Sequence, residues 1–181
     1  MSKARDLANA GTALTSVSAT ELGYVDGVTS AIQTQIDTKA SSTTPTLNGP
    51  IVISPEERTT VSATAATGTV NFDASTQGVL YYTTDASGNW TLNVRGTSGT
   101  TLNSVLATGD AITIAFLVTN GATAYYQTAF NIDGSAVTPK YSGGTAPAAG
   151  NASAIDIYTY TIVKTASETF TVFGAGPIKY A

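Results

Sequence analysis

The chain contains no cysteine and no histidine in 181 residues. Without cysteine there is no disulfide framework, no zinc-thiolate site and no thiol nucleophile. Without histidine the usual general base near neutral pH is missing, and with it any Ser-His-Asp arrangement, so no catalytic residue, metal site or cofactor is predicted. Charge is scarce too: Asp, Glu, Lys and Arg make up 11% of the residues, against roughly 25% in ordinary soluble domains. The eight Lys and Arg are scattered and the formal net charge is -4. No basic stripe is available for phosphates or anionic lipid, so neither nucleic acid nor a charged membrane surface is a predicted partner. Long apolar runs are also missing. The stretch Ala111 to Val118 is too short to span a bilayer, and the opening MSKARDLANAG carries charges without an apolar centre, so no membrane insertion or export signal is predicted.

What is present is an apolar stripe near the amino end. Ser18 to Lys39, SATELGYVDGVTSAIQTQIDTK, places Leu22, Val25, Val28, Ile32 and Ile36 along an otherwise polar, helix-compatible segment. A helix of that length spans roughly 30 Å and is marginal alone in water, so the stripe is predicted to be covered, most economically by other copies of the chain. Ser18-Ala19-Thr20-Glu21 fits a capping box and marks a helix start. Gly27 costs about 1 kcal/mol inside a helix, so two short helices compete with one continuous rod. Packing of the same stripe on the rest of the chain is the intramolecular alternative. Residues 1–40 are therefore read as a helical attachment or trimerisation segment. Residues 41–58 hold Pro45, Pro50 and Pro55 and read as a linker or collar, because proline lacks the donor that a helix or central strand needs.

From Thr59 the composition shifts to Thr, Val, Ile and Tyr punctuated by Gly, Asn and Asp, and residues 59–181 are read as one β domain. Strands are predicted at 68–73, 78–84, 90–95, 100–106, 111–119, 124–132, 155–164 and 169–173. Asn120-Gly121 reads as a hairpin turn, Ser87-Gly88-Asn89 as a reversal before Trp90, and Asp133-Gly134 as the end of a strand. Two packed antiparallel sheets, a sandwich or jelly roll, follow as the predicted architecture, with no internal repeat and so no solenoid. In Ile155 to Val163 both faces carry bulk. One is expected to meet the opposite sheet and the other a neighbouring subunit, which makes Tyr158 and Tyr160 predicted interface residues. The Gly-, Ala- and Pro-rich stretch Tyr141 to Asn151 reads as a reaching loop. Tyr141, Ser142 and Asn151 are its candidates for receptor binding, since aromatic faces and amides suit sugars.

Two resemblances rest on these residues. Thr20 to Asp37, TELGYVDGVTSAIQTQID, resembles the A-T-E-L-G-Y-L-D-G-V-T-S-x-I-Q-x-Q-L-D element of tail fibres and related appendage proteins of tailed bacteriophages. Gly109 to Gly134 and Gly143 to Lys164 are similar to the C-terminal domain of fibre-like proteins from marine phages. These resemblances imply a virion protein assembled in the bacterial cytoplasm, commonly a homotrimer, with no catalytic residues to carry over. Self, another virion protein bound through the N-terminal segment, and a host surface glycan or protein are the implied partners. The resulting expectation is a mainly β protein with a coiled-coil-like N-terminus, acting as a tail fibre or short appendage. Capsid decoration or a head fibre is the alternative, with a carbohydrate-active enzyme behind both. The twelve carboxylates sit mostly at predicted turns and caps, where Asp has a backbone role, so a glycosidase pair is the weaker reading.

Overall fold

Alternation of strands between two sheets organises the molecule. The computed structural model describes Lys3, Thr20 and residues 56–181. The chain divides between Ile53 and Ser54, and the second unit is the one built here. The predicted seam residues Leu22, Val25, Val28, Ile32 and Ile36, and linker residues 41–55, lie outside the described residues.

Six strands, β1 (Thr59–Ala65), β2 (Gly68–Asp73), β3 (Val79–Thr84), β4 (Trp90–Arg95), β5 (Ala111–Asn120) and β6 (Gln127–Ile132), fall in turn into one sheet and then the other. They are followed by β7 (Ser135–Ala136), β8 (Lys140–Tyr141), β9 (Ala154–Ala166) and β10 (Thr169–Tyr180). One sheet has six strands in the order β1-β3-β5-β9-β10-β8, and the other four in the order β2-β4-β6-β7. Because each crossing changes sheet, neighbours within a sheet are separated by a strand of the other and run the same way. β1, β3 and β5 are parallel, as are β2, β4 and β6. Only β5–β9, β9–β10 and β6–β7 are antiparallel.

The all-antiparallel expectation is thus corrected to two mixed sheets, and the first six strands wind as coils. Parallel pairing needs a long crossover, and here a strand of the opposite sheet supplies it. The winding leaves no fixed sequence period, because Leu80 pairs with Thr60 on one side and with the far more distant Phe116 on the other. Asn120-Gly121 is likewise a crossing between sheets and not a hairpin. The Asp133-Gly134 signal holds: both residues have positive φ, 53° and 82°, and they turn β6 back on β7, as a primed two-residue turn requires.

The inner faces of the two sheets share one core. Leu80, Phe116, Val118, Tyr158, Tyr160, Ile162 and Val172 face Val70, Phe72, Trp90, Leu92, Val94, Phe130 and Ile132. Trp90 sits edge-on between Phe116 at 5.8 Å and Tyr158 at 5.9 Å, and Phe130 lies 4.6 Å from Tyr160 between ring centroids. Aromatic pairs in such tilted geometry add about 0.5–1.5 kcal/mol beyond the area they bury.

Residues 100–106, predicted as a strand, contain the helix α1 (Leu102–Val105). Tertiary contacts impose it. The Asp133 carboxylate accepts from the backbone N–H groups of Leu102 (2.6 Å) and Asn103 (2.9 Å), while the Thr101 side chain accepts from Ser104. At the other end the buried Lys164 ammonium donates to the carbonyls of Asn103 (2.5 Å) and Leu106 (2.8 Å). One short turn is thus held by an acid from the end of β6 and a base from β9, complementing the orphan groups at each helix end. Asp133→Ala is expected to cost about 2 kcal/mol, the loss of a charged cap. It should appear as a lower urea midpoint at unchanged slope.

Candidate interaction surfaces

The predicted interface pair proves to be core. Tyr158 and Tyr160 are 0% and 1% exposed and point between the sheets, so the surface-facing side of β9 is the other one: Ile155, Ile157, Thr159, Thr161 and Val163, all half-buried. Sequence bulk did not distinguish the two faces. Asp156 lies on the tyrosine side. It is fully buried, with its charge spread over three donors: the Asn151 side-chain amide at 2.7 Å, the Asn151 backbone N–H at 2.9 Å and the Asn120 amide at 3.0 Å. A carboxylate so surrounded needs no cation.

The receptor candidates divide in the same way. Asn151 is half-buried and spends its side chain on Asp156. Tyr141 is half-buried, lies edge-on to Tyr160 at 6.5 Å, and has its hydroxyl pKa raised by burial, partly offset by the neighbouring Tyr160 hydroxyl. Of the three, Ser142 alone is exposed, at the start of a 3-10 turn, Ser142–Gly144. Asn120 fastens the loop end together: its side chain donates to the Tyr125 carbonyl, accepts from the Tyr125 N–H and donates to Asp156. Gly150 passes so close to the Tyr125 carbonyl that a Cβ there would collide with it. The structure therefore does not gather Tyr141, Ser142 and Asn151 into one open site.

A cluster of polar atoms lies inside the core. Trp90 Nε1, both side-chain polar atoms of Gln127 and the hydroxyls of Tyr158 and Tyr160 have no hydrogen-bond partner among protein atoms. Burial, first of all, pushes the Tyr158 and Tyr160 hydroxyls far above the usual phenol range; the Asp156 charge adds to this at Tyr158, and Tyr141 adds to it at Tyr160. Gln127 lies beside both tyrosines and partly offsets the rise in their hydroxyl pKa.

The largest surfaces are the two outer sheet faces, and they differ in kind. On the four-stranded sheet, Asn71, Asn93 and Asn131 stand side by side across β2, β4 and β6. Asn93 donates to Asn71 at 2.8 Å and accepts from the Gly134 N–H at 2.8 Å, and Arg95 pairs with Asp73 at 2.6 Å in the next row. That face is polar, with Asn93 itself buried at the middle of the row. On the six-stranded sheet the register lines up Val61, Tyr81, Leu117, Ile157 and Ile178 across five strands. Rows of Val79, Ala115, Thr159 and Ala175, and of Thr113, Thr161 and Phe173, run beside it. Across β1, β3, β5, β9 and β10 no outward position on that face is charged; its one charged position is Lys140, on the edge strand β8, whose ammonium lies 5.9 Å from the centre of the Phe173 ring. Val61 is 65% exposed, Phe173 49% and Ile178 46%.

A cleft of about 240 Å³ between α1 and the β6–β7 turn is lined by Asn103, Asp133, Glu168 and Phe170 among others. Its Asp133 carboxylate is already committed to the helix. Among the described residues, no three Asp or Glu side chains gather as a metal site would need. The outer face of the six-stranded sheet is the feature that sequence reading missed, and a map of strand register was the signal that exposes it. No family model, curated protein or solved structure matches this chain.

Proposed function

We propose that this chain is a structural protein of a tailed-bacteriophage particle, a homotrimeric tail fibre or short appendage serving assembly and adhesion to the host surface. The observation that carries this reading is the placement of the Thr20 to Asp37 element ahead of a charge-poor β unit. The apolar stripe Leu22, Val25, Val28, Ile32 and Ile36 joins the copies, and the N-terminal segment docks on another virion protein. Three linked copies then turn weak contacts with a surface glycan or protein into firm attachment, because each bound copy raises the local concentration of receptor seen by the others. The Asp side chains committed to backbone N–H groups (Asp110 and Asp133), amides (Asp156) or a guanidinium (Asp73) support a structural role over a catalytic one.

Capsid decoration is the second reading, favoured by the start of β1 at Thr59, which leaves no long shaft after the seam. Immunogold labelling of purified particles separates the two: label at the tail is expected, label across the head lattice moves the protein to the capsid, and unlabelled particles defeat both. Ile32→Asp combined with Ile36→Asp is expected to turn trimer into monomer, read by light scattering, since two charges per helix cannot be buried in the seam.

A further inference from the structure

We propose that the outer face of the six-stranded sheet is a contact between copies of this chain, the same face of each β unit being turned toward the others in the assembly. The idea rests on the assembly reading above only in that linked copies bring these faces together. Four observations carry it.

First, the face holds an apolar row five strands wide, Val61, Tyr81, Leu117, Ile157 and Ile178. Its ends are well exposed, whereas strands facing water alternate toward polar residues. Second, β1, β3, β5, β9 and β10 carry no charge at an outward position and the face's one ammonium, Lys140, sits at its β8 rim over Phe173, while the opposite outer face carries the Arg95–Asp73 pair and the asparagine row. Interface cores are depleted of charged residues in this way. Third, complementarity selects the occupant. A charged partner finds only the rim ammonium of Lys140 to pair with, and the same uncharged five-strand face is present on every other copy.

Fourth, the area suffices. Five strands about 4.8 Å apart, carrying outward residues over roughly 26 Å of their length, present on the order of 600 Å² in plane. A standard interface buries about 800 Å² per partner once side-chain relief is counted. β1 adds a further indication. It is the edge strand of this sheet, its sequence TTVSATA is exposed along most of its length, and it has neither the charge nor the proline that usually protects an edge.

The absence of native cysteine makes the test specific. Thr159→Cys, at the centre of the face, is compared with Thr69→Cys, exposed at the edge of the other sheet, in the full-length chain. Both are treated with a short bismaleimide, and sedimentation equilibrium is run on the same samples. Cross-linked species at 159 and none at 69 are expected. Adding Val61→Glu and Ile178→Glu should lower the cross-linked fraction about tenfold, because each copy would then have to bury unpaired carboxylates.

Assembled chains that give no cross-link at 159 overturn the face contact and leave the seam reading intact. Monomers that give none overturn both. A thiol at 159 that is protected from maleimide yet never cross-linked, as a segment of the same chain lying over the face would produce, also overturns the contact. Cross-linking at 159 that survives Ile32→Asp with Ile36→Asp supports the face as an association surface in its own right.

Discussion

Replacing Asp156 with alanine is expected to lower the unfolding free energy by about 3–4 kcal/mol, the largest effect of any single polar substitution in the β unit. The carboxylate is fully buried and receives the Asn151 backbone N–H, the Asn151 amide and the Asn120 amide. Truncation leaves the Asn151 donors without an acceptor, and each buried orphan costs about 1–3 kcal/mol. Asn120 keeps its bonds to Tyr125, which limits the total. Guanidinium unfolding measures the loss, and hydrogen exchange should show weakened protection at Asn151 first, since that residue loses both of its bonds. A loss below about 1 kcal/mol would mean that the network does not hold the loop.

Raising the pH above about 10 is expected to destabilise the fold steeply through Tyr158 and Tyr160. The sign follows from proton counts. Below the unfolded phenol value of about 10 both states hold the two protons, so the contribution is constant. Above it the unfolded chain releases them while the buried hydroxyls, held far above the usual range by desolvation, keep theirs. Stability therefore falls as pH rises, by about 1.4 kcal/mol per pH unit for each tyrosine, or about 2.7 for the pair. Unfolding at pH 9, 10.5 and 11.5 gives the slope. Absorbance at 295 nm should show these two tyrosines ionising only with unfolding. Tyr158→Phe with Tyr160→Phe should flatten the profile and cost little at neutral pH, because neither hydroxyl has a protein partner to lose. An unchanged slope in that variant would place the alkaline effect elsewhere.

The strands were legible wherever apolar residues alternate. β5 and β9 were predicted within a few residues, since Ile112, Ile114, Phe116 and Val118 recur at period two, as do Tyr158, Tyr160 and Ile162. β1 was missed because TTVSATA offers only one large apolar side chain to mark it. Which face of β9 turns inward was not legible. Bulk lies on both sides, and the hydrogen bonds that let Asp156 sit inside come from Asn120 and Asn151, partners distant in sequence or lying across a loop.

The helix at Leu102–Val105 was hidden for a similar reason. Thr100-Thr101-Leu102 has β character, and the groups that force the turn, Asp133 in the β6–β7 turn and Lys164 in β9, lie far along the chain. Asn120-Gly121 carries strong hairpin chemistry, yet Asn120 uses its side chain on Tyr125 and Asp156 while the backbone crosses to the other sheet. Turn type was encoded locally and the destination was not. The candidate receptor residues failed as a group because Tyr141 and Asn151 are drawn into packing, and composition alone does not report which loop residues the body reclaims.

In the proposed assembly three copies cover apolar surface that one copy leaves wet. Sedimentation equilibrium of the 181-residue chain at micromolar concentration should then give a single species of three times the 18.4 kDa chain mass. A species of one chain mass that persists as concentration rises would rule the trimer out.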